Sequence, residues 1–294
     1  PASVAQMRAS DYGMMFLMND GTIRTIVKDA TIPSGHPDST NAGVGFAKVL
    51  LNDASHTELS GITDIEYGYR IAFAYSATDN KFYTWGTNSS LGSGPGLSTL
   101  TYATQMVNPL PAGVSVVQIG LAKLCYFVLG SDGHIYTLGA NSVSGGVAGQ
   151  GNTTDVSTWT TVKNFSGQTG ALSNVQFISA ANTSSMYGAI SAILDDGTLV
   201  AWGEDASGMI GVGGNSTLPK LVQGAVAGEQ VFAVETGGHF SAALLMGCDG
   251  NILTTGHNPG GAFGTGLTNS TTTDAAAQFL GDIAGSCDKP ESIF

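Results

Sequence analysis

Residues 191–211 read SAILDDGTLVAWGEDASGMIG. In this stretch Asp196-Gly197 separates an apolar run, Ala192-Ile193-Leu194, from a second β-prone run, Thr198 to Trp202. Asp-Gly between two such runs is the strongest short-range hairpin signal, because a tight primed turn needs positive φ and these residues tolerate it. The second arm alternates Leu199 and Ala201 against Val200 and Trp202, so both of its faces are largely apolar. A strand apolar on both faces is sandwiched between neighbours, and Gly203 ends it.

The same turn recurs at Asp20-Gly21, Asp79-Asn80, Asp132-Gly133 and Asp249-Gly250, giving successive spacings of 59, 53, 64 and 53 residues. Asn80 is the informative exception, since Asn is the other residue that accepts a left-handed backbone. Two positions beyond the Gly or Asn stands an apolar residue (Ile23, Phe82, Ile135, Leu199, Ile252). Two further on stands a small one (Thr25, Thr84, Thr137, Ala201, Thr254), which implies a tight approach between successive units.

The chain therefore divides into five repeats, approximately 1–60, 61–112, 113–172, 173–228 and 229–294, within a single domain spanning 1–294. Each offers about four short strands, the signature of propeller blades rather than of helical repeats. The last strand of each unit is expected at residues 46–51, 105–107, 159–162, 220–222 and 278–280, after a loop rich in Gly, Ser, Thr and Asn. The fold class is all-β, a β-propeller of about five four-stranded blades.

A further motif follows the second hairpin arm in four units. It reads Trp85-Gly86-Thr87-Asn88…Leu91-Gly92, Leu138-Gly139-Ala140-Asn141…Gly149-Gln150-Gly151, Trp202-Gly203-Glu204-Asp205…Ile210-Gly211, and Thr255-Gly256-His257-Asn258…Phe263-Gly264. With it the chain resembles the RCC1-like repeat family (regulator of chromosome condensation), whose blades carry a DGxlyxWGxNxxGqLG pattern before a long connection. The resemblance covers nearly the whole chain, and the first unit departs most, with Ile26-Val27 where Trp-Gly would stand. Chromatin-type members of that family usually have seven blades, whereas this chain has room for five. The ring either closes on itself with five blades or stays an open arc completed by another chain, because an uncovered sheet edge invites pairing.

Composition bounds the partners. The net charge is −12 with only 10 Lys plus Arg, so there is no basic stripe to neutralise phosphates, and nucleic-acid binding is not expected. No apolar run reaches transmembrane length. No basic segment followed by an apolar one opens the chain, and a start at Pro1 fits removal of an initiator Met. Cys125, Cys248 and Cys287 have no metal-binding spacing; they are expected to be buried or free thiols, with a Cys248–Cys287 pair as the alternative.

A search for chemistry finds no HExxH, GxSxG or GxxxxGK pattern. The five histidines are scattered over different units, and the repeated turn aspartates have a backbone reason for being there. Trp85 and Trp202 occupy the repeated packing position. No cofactor, metal or catalytic residue is expected, and the chain is expected not to be an enzyme. Tyr102, Trp159 and Phe263 lie at or near the variable connections, where an aromatic can fill a partner pocket or stack on a sugar, or else cap the next strand. Insertions at equivalent sites fall on one face, often the binding face.

The resemblance implies several uses: nucleotide exchange on a small GTPase with nucleosome contact, inhibition of an enzyme by a secreted propeller, or a structural or adhesive role. Acidity and blade number disfavour the first. The expected function is a virion structural and receptor-binding protein, a phage tail or fibre component adhering to a host glycan or protein through propeller-face loops. Such a protein would be made in the host cytoplasm and work as a homo-oligomer among other virion proteins. The alternative is a secreted or surface bacterial propeller that binds or inhibits a protein.

Overall fold

Apolar runs punctuated by tight turns give strands too short to bury themselves singly, so the chain resolves into four-stranded meanders that stack on one another. A computed structural model describes residues 3–10, 13–28, 34–36, 46–89, 92, 98–181, 188–205, 208–223, 230–237, 244–247, 252–258 and 269–278. Among them there are five antiparallel sheets and no α-helix. Sheet 1 comprises β1 (Val4–Ser10), β2 (Gly13–Met18), β3 (Ile23–Val27) and β4 (Ala47–Lys48). Sheet 2 comprises β5 (Asp64–Tyr67), β6 (Ile71–Ser76), β7 (Lys81–Ser89) and β8 (Ser98–Gln105). Sheet 3 comprises β9 (Val116–Ala122), β10 (Cys125–Gly130), β11 (Ile135–Gly139) and β12 (Val156–Thr161).

Sheet 4 comprises β13 (Val175–Ala180), β14 (Ala189–Leu194), β15 (Leu199–Gly203) and β16 (Ser216–Leu221). Sheet 5 comprises β17 (Val231–Glu235), β18 (Leu244–Gly247), β19 (Ile252–Asn258) and β20 (Asn269–Gln278). Within each sheet the strands follow chain order. The first strands line the axis: β1 packs on β5, β5 on β9, β9 on β13, and β13 on β17.

The outer strands differ from the sequence expectation. In sheets 2 to 5 the fourth strand starts earlier, at Ser98, Val156, Ser216 and Asn269, inside stretches read as loop. These strands are polar because they sit at the edge of the meander, so periodicity of apolar residues does not mark them. The glycine after the Trp position drives the pairing there. Gly86, Gly139 and Gly203 have φ of 121, 131 and 108°, and a Cβ on them would lie 2.2 to 2.3 Å from the carbonyl oxygens of Arg70, Leu124 and Gly188. At each of these glycines the ladder to the outer strand shifts register. In sheet 1 the outer strand is only Ala47–Lys48, continued by isolated bridges at Leu50 and Leu51, the latter pairing with Ala103 of sheet 2.

Two repeated devices hold one sheet to the next. First, the turn glycine accepts a backbone hydrogen bond from the start of the following unit: Ile62 N to Gly21 O at 3.1 Å, Val175 N to Gly133 O at 3.0 Å, Val231 N to Gly197 O at 2.8 Å. Where Asn80 replaces Gly, the side-chain amide of Asn108 donates to Asn80 O instead, at 3.1 Å. Second, the long loop of each unit folds over the Trp position of the next. Trp202 is fully buried, its indole N–H donates to Val147 O at 2.7 Å, and a Cβ on Gly149 would lie 3.0 Å from its Nε1. Trp85 is covered by Gly35 and Val49, Leu138 by Gly92, and Thr255 by Met209 and Gly211. Among the described residues, the buried indole N–H of Trp85 has no hydrogen-bond partner.

The result is four inter-sheet cores, in which the central strands of sheets 2, 3 and 4 are buried on both faces. Cys125 lies within the core between sheets 3 and 4, its thiol pushed up to about 12 by burial; Cys248 and Cys287 are outside the described residues.

Replacing Trp202 with Ala should lower stability by about 3–5 kcal/mol. Gly203→Ala should cost at least ~1–3 kcal/mol, because it adds strain at a left-handed position to a clash with Gly188 O. Urea-denaturation midpoints of the two variants against the parent chain check both.

Candidate interaction surface

The axis is polar and ordered by the inner strands. Each of β1, β9, β13 and β17 shifts register against its hairpin partner near one end. In β1 and β9 that bulge aims a glutamine at the neighbouring inner strand. Gln6 donates to Asp64 Oδ1 at 2.9 Å and accepts from Ile65 N at 3.1 Å, while Gln118 donates to Ile178 O at 2.7 Å and accepts from Ile178 N at 3.0 Å. The amide side chain stands in for a missing strand partner. The sequence signal for this device is the pair VAQ at 4–6 and VVQ at 116–118, which sequence reasoning passed over.

Arg8 lies at the centre of the charge distribution. Its Nε pairs with Glu66 Oε1 at 2.9 Å, and Asp64 and Glu235 add attraction that outweighs the cost of burial and strengthens its hold on the proton. Burial raises the Asp64 carboxyl above the usual range, against the hydrogen bond from Gln6 and the field of Arg8. Desolvation by the protein around it also raises Glu235, although its side chain keeps contact with solvent, and Arg8 opposes the shift. Arg8 of sheet 1 is thus drawn towards both sheet 2 and sheet 5. Among the described residues, the close packing that joins the other successive inner strands is not formed between β17 and β1.

One face of sheet 1 carries exposed apolar side chains. On the other face Met15, Leu17, Ile23 and Val27 are buried against sheet 2. The exposed face follows from the register: Met7 lies opposite Phe16, Ala9 opposite Met14, and Met14 opposite Ile26. Directly opposed residues share a face. Met7 is 53% exposed, Met14 43% and Val4 51%, and Phe46, 59% exposed, packs its ring 5.1 Å from that of Phe16. Ile26 occupies the Trp position here and is half-buried. On the same face, opposite Phe16, Arg24 pairs with Glu58 at 2.6 Å, and Lys48 pairs with Glu58 at 2.8 Å. Burial pushes Glu58 up, but the hydrogen bonds and charges of Lys48 and Arg24 outweigh it and hold the carboxyl below its usual range.

The aromatic residues singled out from sequence occupy separate places. Tyr102, half-buried on β8, stacks on His56 with ring centroids 4.0 Å apart. Trp159, half-buried on β12, donates to Val107 O at 2.9 Å and lies beside Phe73 and Tyr126. The two rings serve different sheet-to-sheet contacts, and Phe263 lies outside the described residues.

The loop after Gly139 is a strut rather than a free arm. Asn141 is buried, its amide donates to Asn152 O and Thr154 O, and its oxygen accepts from Ala148 N. Asp205 does the same work in sheet 4, accepting from Ile210 N and Gly214 N at 2.9 Å each. A shallow open hollow of about 410 Å³ lies between the turns of sheets 3 and 4. Its Asp132 is engaged by Tyr136 Oη at 2.7 Å and by His134 N at 3.2 Å, as the turn requires.

Four-stranded antiparallel sheets arranged about an axis, each locked to the next by a loop over a Trp position, define a β-propeller of the RCC1 type. No family model matches the sequence. Among solved structures, the chain is similar to human WBSCR16, with a TM-score of 0.71 at 16% identity, covering 95% of this chain and 68% of that one. It is also similar to yeast RCC1 (Prp20) in a crystal structure of Kap60 bound to that protein, with a TM-score of 0.62 at 16% identity over 81% of this chain. A second structure of Prp20p from Saccharomyces cerevisiae, described with its binding properties to Gsp1p and histones, gives 0.60 at 16% identity. The chain spans about half the length of the two Prp20 chains, 53% and 54%. The likeness is one of fold, which by itself assigns no function.

The raised acids set a sign for pH dependence. Carboxyls raised in the folded state hold protons that the unfolded chain releases, so stability should rise as pH falls through the folded pKa values of Asp64, Glu204 and Glu235 towards their unfolded values. Below the ordinary carboxylate range, Glu58, Asp20, Asp53 and Asp196, all held low by their partners, lose their contribution as pH falls through their folded values, and the trend reverses. Denaturation midpoints across this range should show the rise, and the double variant Asp64→Asn, Glu235→Gln should reduce it to the part that Glu204 carries.

Proposed function

We propose that this chain is a non-enzymatic protein-binding propeller that serves as a virion or surface component, a phage tail or fibre element attaching to a host receptor. The observation that carries the protein-binding part is the set of exposed apolar side chains on one face of sheet 1. Contiguous exposed apolar residues on a folded protein mark a place where another surface sits, and Met7, Met14 and Phe46 supply them together with Val4. Methionine adapts its shape to what it meets, and phenylalanine anchors it. The finer assignment draws on composition: a net charge of −12, 11% charged residues and 42 glycines, in a chain whose gaps are filled with Ser, Thr and Asn. Such a surface favours solubility and repels nucleic acid. Multiple copies on a particle would turn modest single contacts into firm attachment.

Biolayer interferometry of the purified chain against fractionated bacterial envelopes tests this reading. The parent chain should bind a receptor fraction, Met14→Glu combined with Phe16→Glu should weaken binding at least tenfold, and Val143→Glu, on the loop of sheet 3, should leave it unchanged. Equal binding by the Met14/Phe16 variant and the parent, or no binding to any fraction, overturns it.

A further inference from the structure

We propose that Lys123 and Glu204 form a charge-controlled seat for the tip of the strut, residues 142–146. The tip lies closed over sheet 4 while Lys123 offsets the buried carboxylate, and it lifts when that offset is lost. This device is independent of the reading of sheet 1, and it concerns the contour of sheets 3 and 4 at the end of the strands away from the Asp-Gly turns. The first argument is the charge of the position. Thr87, Ala140 and Glu204 follow the kinked glycines of sheets 2, 3 and 4, and their amides donate to Arg70 O, Leu124 O and Gly188 O at 2.8, 3.1 and 2.8 Å. Equivalent backbone sites thus carry a threonine, an alanine and a carboxylate, and of the three only Glu204 has a charge to bury. A residue that breaks the local rule of its repeat marks a place where something other than folding is served.

The second argument is the geometry of the seat. The Glu204 side chain is 19% exposed, its Oε2 accepts from Gly188 N at 2.7 Å, and Lys123 Nζ lies 3.7 Å from the same oxygen. Lys123 sits in the turn between β9 and β10 with a left-handed φ of 55°, its side chain 11% exposed. The tip closes over this pair. A Cβ on Gly145 would collide with Glu204 Cγ, and a Cβ on Gly188 would lie 3.2 Å from Lys123 Cβ and 3.3 Å from the Cβ of the fully buried Ser144. Removing one partner of a buried ion pair leaves the other uncompensated, whereas removing both charges is close to neutral. Burial also raises the Glu204 carboxyl above its usual range, with Gly188 N and Lys123 opposing the shift. Among the described residues, the other titratable groups around the seat are Cys125, beside Ser144; Asp155, which accepts from Ser142 N; and Asp205, which accepts from Ile210 N and Gly214 N. The backbone bonds of the tip run within the loop, from Ser144 N and Gly146 N to Asn141 O at 3.2 Å each. Val147 and Ala148, by contrast, are fully buried in the core that holds Trp202. The tip can therefore open locally without unseating the tryptophan.

Amide hydrogen exchange of the full chain, resolved by NMR and corrected for the intrinsic rate at each pH, tests the device. Near neutral pH, Lys123→Met should speed exchange at Ser144 and Gly146 at least about tenfold and leave the amides of β10 unchanged. Adding Glu204→Gln to that variant should return both tip amides to within about threefold of the parent, because the uncompensated charge is gone. In the parent chain, exchange at the tip should slow as pH falls through the folded pKa of Glu204: a carboxyl raised in the closed seat and ordinary in the lifted one favours closure when it takes up a proton. Glu204→Gln alone should remove that pH dependence, and if Lys123→Met does not fold, this measurement decides. Unchanged tip exchange in Lys123→Met overturns the proposal, as does an excess that survives Glu204→Gln. So does a rise shared equally by β10, or a parent tip whose corrected exchange is indifferent to pH.

Discussion

The architecture depends on one interaction, the seating of a large side chain of each sheet beneath the loop of the sheet before it. Trp202 shows it most fully: a completely buried indole, its N–H satisfied by Val147 O, pressed against a glycine that has no room for a side chain. The hydrogen bond matters because a buried indole donor left unpaired would cost about 1–3 kcal/mol. The glycine matters because the loop must approach the ring closely enough to exclude water. Loop, glycine and tryptophan are therefore one device spread over two repeats, and the Gly86, Gly139 and Gly203 kinks turn the chain out of the second hairpin arm into that loop.

The first repeat departs from the motif, with Ile26-Val27 in place of Trp-Gly. The burial pattern reports the same fact physically: β6 and β10 are buried at every position, whereas β2 and β3 alternate. Arg8 is held by Glu66 on the axis, and Glu235 adds a longer-range attraction.

Much of the candidate surface is hidden from sequence reading for definable reasons. Tyr102 and Trp159 stand out as aromatics near variable connections, yet each has a ring partner or carbonyl in an adjacent unit, a relation that no local pattern encodes. Met14 and Phe16 look like the other half of a buried hairpin arm, identical in kind to Phe73 or Phe127. Their exposure is a consequence of position in the stack and not of residue type. The axial glutamines escape notice because a lone Gln in a β-prone run carries no signal until the bulge aims it.

The sequence by itself determined the unit: the turns, because only Asp-Gly or Asn tolerates them; the paired hairpin arms, because their residues alternate; and the count of repeats, because the turn returns at near-constant spacing. It also marked the packing tryptophans, since a large residue at a fixed offset from every turn must meet the same neighbour. Only the tertiary structure decided where the outer strands begin, because edge strands are polar and read as loops. It alone decided that the loop after Gly139 is a buried strut and that Met7, Met14 and Phe46 are exposed. Those properties belong to the relation between units, and a repeat read along the chain is the same whether or not another one covers it.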